Sequence, residues 1–200
     1  TRSRCRYRST CTTSPVVPGT YAGSGLISGL VTDGGSVAAG RLNLTKANTG
    51  TISLSNNAND FTGVVTINAG TVAVTSIGNI GVASALGKGD ATNNAGSLVF
   101  NGATTGSLQY TGSNATIFQT IQSPSFTTDR LFTLAGNGII DSSGQYGNNV
   151  LGAGAQNNAA IIFNNTGNGL AFSGAVGART LTLPGNPIGD QESAIPLQDS

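Results

Sequence analysis

The sequence predicts an all-β protein built as a parallel β-solenoid, and three observations support that prediction. One short phrase, glycine then Ser or Thr then two apolar residues separated by one position, begins at Gly50, Gly70, Gly96 and Gly106. Short runs rich in Val, Ile and Thr alternate between apolar and polar residues. Gly and Asn pairs that favour turns separate these runs. A strand-and-turn unit that recurs over about 20 to 50 residues is typical of solenoids, whose units bury their apolar faces only against neighbours.

The order of the elements follows from the same pattern. We expect strands over Thr51–Leu54, Val64–Ile67, Thr71–Val74, Ser97–Phe100, Leu108–Tyr110, Leu131–Leu134, Ile161–Phe163, Leu170–Phe172 and Thr180–Leu183. Alternation predicts that the following side chains point inward: Ile52, Leu54, Val65, Ile67, Val72, Val74, Leu98, Phe100, Leu108, Leu181 and Leu183. Residues 80 to 86 form the only helix candidate, but Gly81 and Gly87 favour a loop or a single turn there. A β-sandwich or jelly roll is the rival fold, because short strands at this spacing suit it too.

Composition agrees with a thin, polar-surfaced β structure. Only 8% of the residues are charged, 6% are aromatic and 30 of 200 are Gly, whereas an average domain is about 25% charged. No apolar run approaches the ~20 residues that span a bilayer as a helix. We therefore expect no membrane span, a surface of Thr, Ser, Asn and Gly, and a core one aliphatic layer thick.

Charge divides the chain into three parts. Arg2, Arg4, Arg6 and Arg8 make residues 1–20 a basic extended arm, while Asp190, Glu192 and Asp199 make residues 186–200 an acidic tail. Residues 21–185 are predicted to form a single β-solenoid domain, of which 21–41 are an entry or cap. The opening residues show no apolar signal segment, and we take no compartment from them. Cys5 and Cys11 lie in the basic arm and can form a small disulfide loop under oxidising conditions.

Residues 44–74 resemble the passenger-associated repeat of bacterial autotransporters. The resemblance rests on Leu44-Thr45-Lys46, Gly50-Thr51-Ile52-Ser53-Leu54-Ser55, Asn59-Asp60-Phe61-Thr62-Gly63 and Thr66-Ile67-Asn68-Ala69-Gly70-Thr71-Val72-Ala73-Val74. Ser84-Ala85-Leu86-Gly87 and Thr128-Asp129-Arg130-Leu131-Phe132-Thr133-Leu134 are similar to segments that accompany such repeats. The resemblance implies a right-handed parallel β-helix on a cell surface or in the extracellular space. A phage fibre, spike or capsid protein of a virion is the alternative setting.

Catalysis has little support in the sequence. There is no His, so general acid–base work would fall to carboxylates, Lys or Tyr. Asp129 and Asp141 could meet one coil apart, as paired carboxylates do in glycosidases, but capping of turns is the favoured role for the Asp residues of the body. Gly87-Lys88-Gly89-Asp90 is interpreted as a plain turn rather than a calcium site. We therefore predict a non-enzymatic structural protein without catalytic residues, cofactor or metal.

The charged ends are the candidate sites for partners. Alternating Arg residues place guanidinium groups on one side of an extended strand, where they suit phosphate or carboxylate partners. Nucleic acid is an unlikely partner, because residues 9 to 189 carry five basic and five acidic residues without a basic stripe. We expect association with copies of this chain or other structural proteins, the basic arm meeting an acidic tail head to tail. An adhesin or glycan-binding module is a further alternative, for which the aromatic residues to inspect are Tyr110, Phe118, Phe126 and Tyr146.

Overall fold

The structure is a computed structural model that describes residues 23–34, 40–102, 106–112, 126–141, 161–167, 169–174 and 177–184. These residues contain short strands and one 3-10 turn at Ala95–Ser97. The strands are β1 (Gly25–Ile27), β2 (Leu44–Lys46), β3 (Thr51–Leu54), β4 (Val65–Ile67), β5 (Gly70–Val74), β6 (Leu98–Phe100), β7 (Gly106–Tyr110), β8 (Phe126–Thr128), β9 (Thr133–Leu134), β10 (Gly138–Asp141), β11 (Ile161–Phe163), β12 (Ala171–Phe172) and β13 (Leu181–Thr182). Residues 80 to 86 form turns, as expected.

The strands stack into parallel sheets that the chain visits in alternation. One sheet has the order β1-β3-β5-β7-β10-β13, a second has the order β12-β9-β6-β4-β2, and β8 pairs with β11 in a third. Every ladder between these strands is parallel. A β-sandwich is built from antiparallel sheets, so this topology excludes the rival fold. The prediction of an all-β parallel β-helix is confirmed.

The recurring glycine phrase does not mark one fixed position in the coil. Gly50, Gly70 and Gly106 stand at the starts of β3, β5 and β7 in the six-stranded sheet, whereas Gly96 precedes β6 in the five-stranded sheet. The shared frame Asn-Ala-Gly at residues 68 and 94, 26 residues apart, therefore links two different faces. Coil length instead varies, from 20 residues between the paired Thr51 and Thr71 to 43 residues between the paired Gly138 and Leu181.

The core is the thin apolar column that the alternation predicts. Eight of the predicted inward residues are buried: Leu54, Val65, Ile67, Val72, Val74, Leu98, Phe100 and Leu108. Ile52 and Leu181 are half-buried and pack against this core. The prediction for Leu183 is wrong, because its side chain is 47% exposed. It lies just beyond β13 in the last described coil, where no further described strand covers it.

Lys46 occupies an inward register position at the first strand of the five-stranded sheet. It pairs in register with Ile67, which pairs with Phe100. Lys46 is buried, and its Nζ donates hydrogen bonds to the backbone carbonyls of Asn48 and Ala69. Burial lowers the pKa of this ammonium group. The side chain thus ties together two turns that lead into the six-stranded sheet.

Gly70 should not tolerate a side chain. Its φ is 69°, and a Cβ there would lie 2.5 Å from the carbonyl oxygens of Asn48 and Gly50. A left-handed backbone costs an ordinary residue about 1 kcal/mol or more, and backbone atoms cannot move aside as a flexible side chain can. Gly70→Ala should therefore lower the free energy of unfolding by at least ~2 kcal/mol in urea titrations.

Gly29 provides the matched control for Gly70. A Cβ at Gly29 meets nothing within 4 Å, so Gly29→Ala should change stability by less than about 0.5 kcal/mol. Equal losses for the two substitutions would show that the tight turn before β5 does not carry the strain we assign to it.

Candidate functional site

Turns from successive coils stack at one corner of the solenoid, and this corner is the candidate site. We call it the corner stack, and it comprises residues 31–33, 59–63, 78–94, 128–131 and 164–165. It contains most of the charged side chains of the described chain: Asp33, Asp60, Lys88, Asp90, Asp129 and Arg130. Arg41 reaches it through an ion pair to Asp90 at 2.6 Å. Most charged residues of the described chain are therefore concentrated in one place, where Asp90 and Arg130 are buried.

Asn59 joins three levels of the corner stack. The backbone N–H of Val31 donates to Asn59 Oδ1 at 2.9 Å, and Asn59 Nδ2 donates to the carbonyl of Ala85 at 3.0 Å. Its own carbonyl accepts a hydrogen bond from the N–H of Ser84. Asn59 is fully buried, so these bonds satisfy polar atoms that have no access to water.

Within the corner stack, Arg130 fastens the long loop between β5 and β6 to the turn that follows β8. Its Nε donates to the carbonyl of Gly78 at 2.7 Å, and its Nη2 donates to the carbonyls of Gly87 at 2.6 Å and Lys88 at 3.1 Å. The side chain is 2% exposed. Desolvation lowers the pKa of Arg130 to about 10, against the opposing effect of the Asp129 carboxylate, so the group stays charged at neutral pH. The fork geometry of guanidinium suits several carbonyls at once.

Residues next to Arg130 make a second set of hydrogen bonds to the same loop. Asp129 Oδ1 accepts a hydrogen bond from the N–H of Ile80 at 2.8 Å, and the N–H of Asp129 donates to Asn79 Oδ1 at 3.2 Å. The hydroxyl of Thr128 donates to the carbonyl of Gly78. Asn94 also bridges, because its Nδ2 donates to the carbonyl of Asp129 and its Oδ1 accepts from the N–H of Leu131. The loop is therefore a fixed part of the surface.

The carboxylates of Asp33 and Asp90 in the corner stack hold turns. Asp33 Oδ2 accepts from the N–H and hydroxyl of Thr62 and from the N–H of Leu42. Asp90 accepts from the N–H and hydroxyl of Thr92. The bond from the Thr92 hydroxyl is the main cause that lowers the pKa of Asp90; burial opposes it, and Arg41 adds to it. These contacts match the turn-capping role expected for Asp33 and Asp90.

Asp129 and Asp141 lie in different parts of the solenoid. Asp129 follows β8 of the two-stranded sheet, whereas Asp141 ends β10 of the six-stranded sheet and accepts a hydrogen bond from Gln109 Nε2 at 3.0 Å. Within the described residues, no group of three or more His, Cys, Asp or Glu side chains is placed to hold a metal ion. The described residues also contain no helix that is long and apolar enough to cross a membrane.

Most residues singled out from the sequence lie outside the described part of the chain. These are the arm and tail residues Arg2, Arg4, Arg6, Arg8, Asp190, Glu192 and Asp199, the cysteines Cys5 and Cys11, and the aromatic residues Phe118 and Tyr146. Phe126 lies in β8, and only its backbone is described. Tyr110 is buried, so it lacks the exposure that an aromatic residue needs to contact a glycan. It occupies an inward position of β7, stacked under Val74.

Tyr110 should make the protein sensitive to alkaline pH. Burial raises the pKa of its phenol to about 12, whereas an exposed tyrosine ionises near pH 10. The folded state thus keeps the proton that the unfolded state releases, and stability falls as pH rises from about 10 to about 12. The loss should approach ~2 kcal/mol for the two-unit difference in pKa.

Urea midpoints measured from about pH 9, one unit below the onset of the expected loss, to about pH 12, where it ends, test this effect. Tyr110→Phe keeps the ring in the core and removes the ionisable hydroxyl. Its midpoint should decline less over this range than that of the unmodified protein. Parallel curves for the two proteins would assign the alkaline loss to other groups.

The faces of the sheets carry rows of small polar side chains. On the six-stranded sheet, Thr51, Thr71 and Ser107 follow one another in register, and because neighbouring strands are about 4.8 Å apart they form a polar ladder. The next row is mixed: Ser53, the buried Ala73, Gln109 and Asp141 follow one another there. The fold and its surface thus define a parallel β-helix with a largely polar face and one hydrogen-bonded corner that holds most of the charged residues.

Comparisons with known proteins connect this β-helix with autotransporter passengers. Residues 44–74 match the family model described as "Passenger-associated-transport-repeat", which confirms the resemblance seen over these residues. The chain is also 37% identical over 129 residues to the "Adhesin BmaC autotransporter" of Brucella suis biovar 1 (strain 1330), a match that covers 62% of this chain and 3% of that protein. No solved structure gives a significant match.

The matched repeat coincides with the first coils of the solenoid. It begins with β2, ends with β5 and includes Asn59 and Phe61 of the corner stack. Phe61 is fully buried, and its carbonyl accepts hydrogen bonds from the N–H groups of Lys88 and Gly89. Asn59, Phe61 and Arg130 all belong to segments that carry the sequence resemblance, but the resemblance assigns none of them a role. The local signal for Arg130 is a lone cation before the apolar Leu131-Phe132 pair.

Proposed function

We propose that this chain is a non-enzymatic β-solenoid module of an autotransporter-type passenger, displayed on the cell surface or secreted, with an adhesive role. The observation that carries the proposal is the match of residues 44–74 to the passenger repeat, because those residues form the first stacked coils. Similarity to an autotransporter adhesin over 62% of the chain supports the adhesive role. The chain spans only 3% of that protein, so it would represent one segment of a long passenger.

The described surface suits binding better than catalysis. The carboxylates of Asp33, Asp90 and Asp129 accept backbone hydrogen bonds that hold turns. The sheet faces instead offer rows of hydroxyl and amide groups that can hydrogen-bond a surface glycan or an extended protein. A rigid array of weak polar contacts gains strength when many copies act together, as they do on a cell envelope.

Display and adhesion can be tested separately. Antibodies raised against the purified chain should label intact cells of its source, and labelling only after permeabilisation would contradict surface display.

Beads coated with the chain should bind host cells or matrix in a saturable manner, and soluble chain should compete with this binding. Beads coated with the heat-unfolded chain provide the control, and equal binding of the two would contradict an adhesive surface made by the fold.

The oppositely charged ends remain a proposal for how copies associate. Arg2, Arg4, Arg6 and Arg8 of one copy would contact Asp190, Glu192 and Asp199 of the next. Salt screens contacts between exposed charges, so this association should weaken strongly as ionic strength rises. Light scattering at low and high salt measures it, and deletion of residues 1–12 should abolish it.

A further inference from the structure

At the corner stack, neighbouring coils are joined by side-chain hydrogen bonds in addition to the backbone ladders of the sheets. Coils are counted from β1, so β3, β5, β7 and β10 lie in the second to the fifth coil. Asn59 of the second coil accepts a hydrogen bond from the N–H of Val31 in the first coil and donates one to the carbonyl of Ala85 in the third. Asn59 is fully buried, and its one side chain thus connects three successive coils.

The later coils continue this line of hydrogen bonds. Arg130, in the turn after β8 of the fourth coil, donates to three carbonyls of the third-coil loop. Asn94, near the end of that loop, donates to the carbonyl of Asp129 at 3.0 Å, and Asn165 of the fifth coil donates to the same carbonyl at 2.9 Å. The line therefore links each coil to the next from Val31 to Asn165. We call it the corner spine.

The corner spine is densest where a backbone ladder ends. Among the described residues β8 pairs only with β11, and the third-coil segment beside it is a loop rather than a strand. Side chains of the fourth coil bind this loop instead: the Thr128 hydroxyl donates to the carbonyl of Gly78, and Asp129 Oδ1 accepts from the N–H of Ile80. Together with Arg130, they join the third and fourth coils on the side where no strands pair between them.

These bonds change how the coils depend on one another. In a solenoid each coil contacts only its neighbours, and stability is the sum of a term for each coil and a term for each interface between coils. Additional bonds at every interface increase the second term, so states in which only some coils are unfolded become less populated. The bonds of Arg130 are charge-assisted, and both Arg130 and Asn59 are buried where water does not compete for their partners.

We propose that the corner spine is a mechanical clamp, which makes the first five coils resist tension as one unit and release together instead of one after another. The clamp takes its purpose from the adhesive role proposed above, because a displayed adhesin carries load between the cell that holds it and the surface that it binds. The clamp itself is a property of the isolated chain. A pulling experiment therefore tests it separately from any binding to cells.

Optical tweezers that pull the full chain from its two ends test the clamp. Val31 and Asn165 are 134 positions apart, so the unmodified chain should lengthen by roughly 440 Å in one step, at about 3.4 Å per extended residue less about 4.8 Å of folded rise per coil. Arg130→Met should divide this release into two steps, each roughly half as long, because the interface between the third and fourth coils then yields separately.

Leu108→Ala is the matched control. Leu108 is fully buried in β7 of the fourth coil and takes no part in the corner spine. Its truncation weakens the core, so this variant should release at lower force but still in one step. A single step at lower force for Arg130→Met as well would show that Arg130 only adds stability, and would overturn the proposal.

Stepwise release of the unmodified chain would also overturn it. Circular dichroism verifies that each variant folds before it is pulled. Should Arg130→Met fail to fold, Asn94→Ala removes the hydrogen bonds to the backbone of Asp129 and Leu131 at the same interface. The same division into two steps is then required of Asn94→Ala, and its absence would contradict the clamp.

Discussion

Arg130→Met should lower the free energy of unfolding by about 3 kcal/mol or more. The guanidinium donates to the carbonyls of Gly78, Gly87 and Lys88, all of which belong to the loop between β5 and β6. Replacing a buried ion pair by apolar residues is often neutral when both partners are replaced. Here the partners are backbone carbonyls, which no substitution removes. Each loses its charged donor and keeps one neutral donor, which is the Thr128 hydroxyl for Gly78, the Ser84 hydroxyl for Gly87 and the Gly81 N–H for Lys88.

Urea unfolding followed by circular dichroism measures the loss, and hydrogen exchange locates it. The N–H groups of Lys88 and Gly89, which donate to Phe61, should exchange faster in the variant. Arg41→Met is the matched control, because Arg41 is 37% exposed and its partner, the buried Asp90, keeps its hydrogen bonds from Thr92. An ion pair whose cation is solvated contributes about 1 kcal/mol or less. Similar losses for the two variants would contradict the role of Arg130 as the fastening of the loop.

Phe132→Ala should be the most damaging truncation in the core. Phe132 is buried between Phe100, with ring centroids 5.6 Å apart, and Phe163, at 5.7 Å, and both contacts are edge-to-face. Truncating a buried phenylalanine costs about 3 to 5 kcal/mol through lost burial and the cavity left behind. The two aromatic contacts add to the loss, and a column one side chain wide has few neighbours that can move into the gap.

Two variants show whether the loss comes from volume or from position. Phe132→Leu retains most of the buried volume and should cost about 1.5 kcal/mol. Val82→Ala, at a side chain 53% exposed, should change stability by less than ~0.5 kcal/mol. In urea titrations, the loss in the free energy of unfolding should be largest for Phe132→Ala, smaller for Phe132→Leu and smallest for Val82→Ala. A loss at Phe132→Ala no larger than at Val82→Ala would contradict the continuous aromatic column.

Several strands of the solenoid have weak sequence patterns and were not predicted individually. β10 begins with Gly138 and continues with two adjacent isoleucines, so apolar alternation is lost there. β2 carries a lysine at an inward position, which an apolar pattern does not allow. In both cases the neighbouring coils decide, because the parallel strands β7 and β13 beside β10, and β4 beside β2, supply the hydrogen bonds that the local pattern does not specify. Local propensity therefore finds the strong strands, and stacking adds the weak ones.

The corner stack depends on contacts between residues that are far apart in the sequence. The side chains of Asn59 and Arg130 reach across 26 to 52 positions to their hydrogen-bond partners. The lengths of the coils between those partners are irregular, so no fixed spacing in the sequence brings the groups together. The segments Ser84–Gly87 and Thr128–Leu134 were each similar to segments that accompany the repeat, and the structure shows that Arg130 of one binds the carbonyl of Gly87 in the other.

The sequence alone determined the class of fold, because period-two alternation and repeated glycine turns are local properties that survive without knowledge of the neighbours. It also identified the passenger repeat and most of the inward side chains. Only the tertiary structure decided which coils are covered. Leu183 has the register of a core residue yet is exposed, since burial depends on whether another coil follows. Stacking between coils likewise decided that the glycine phrase lies in two different sheets. It also decided that Arg130 is buried against the carbonyls of an earlier loop.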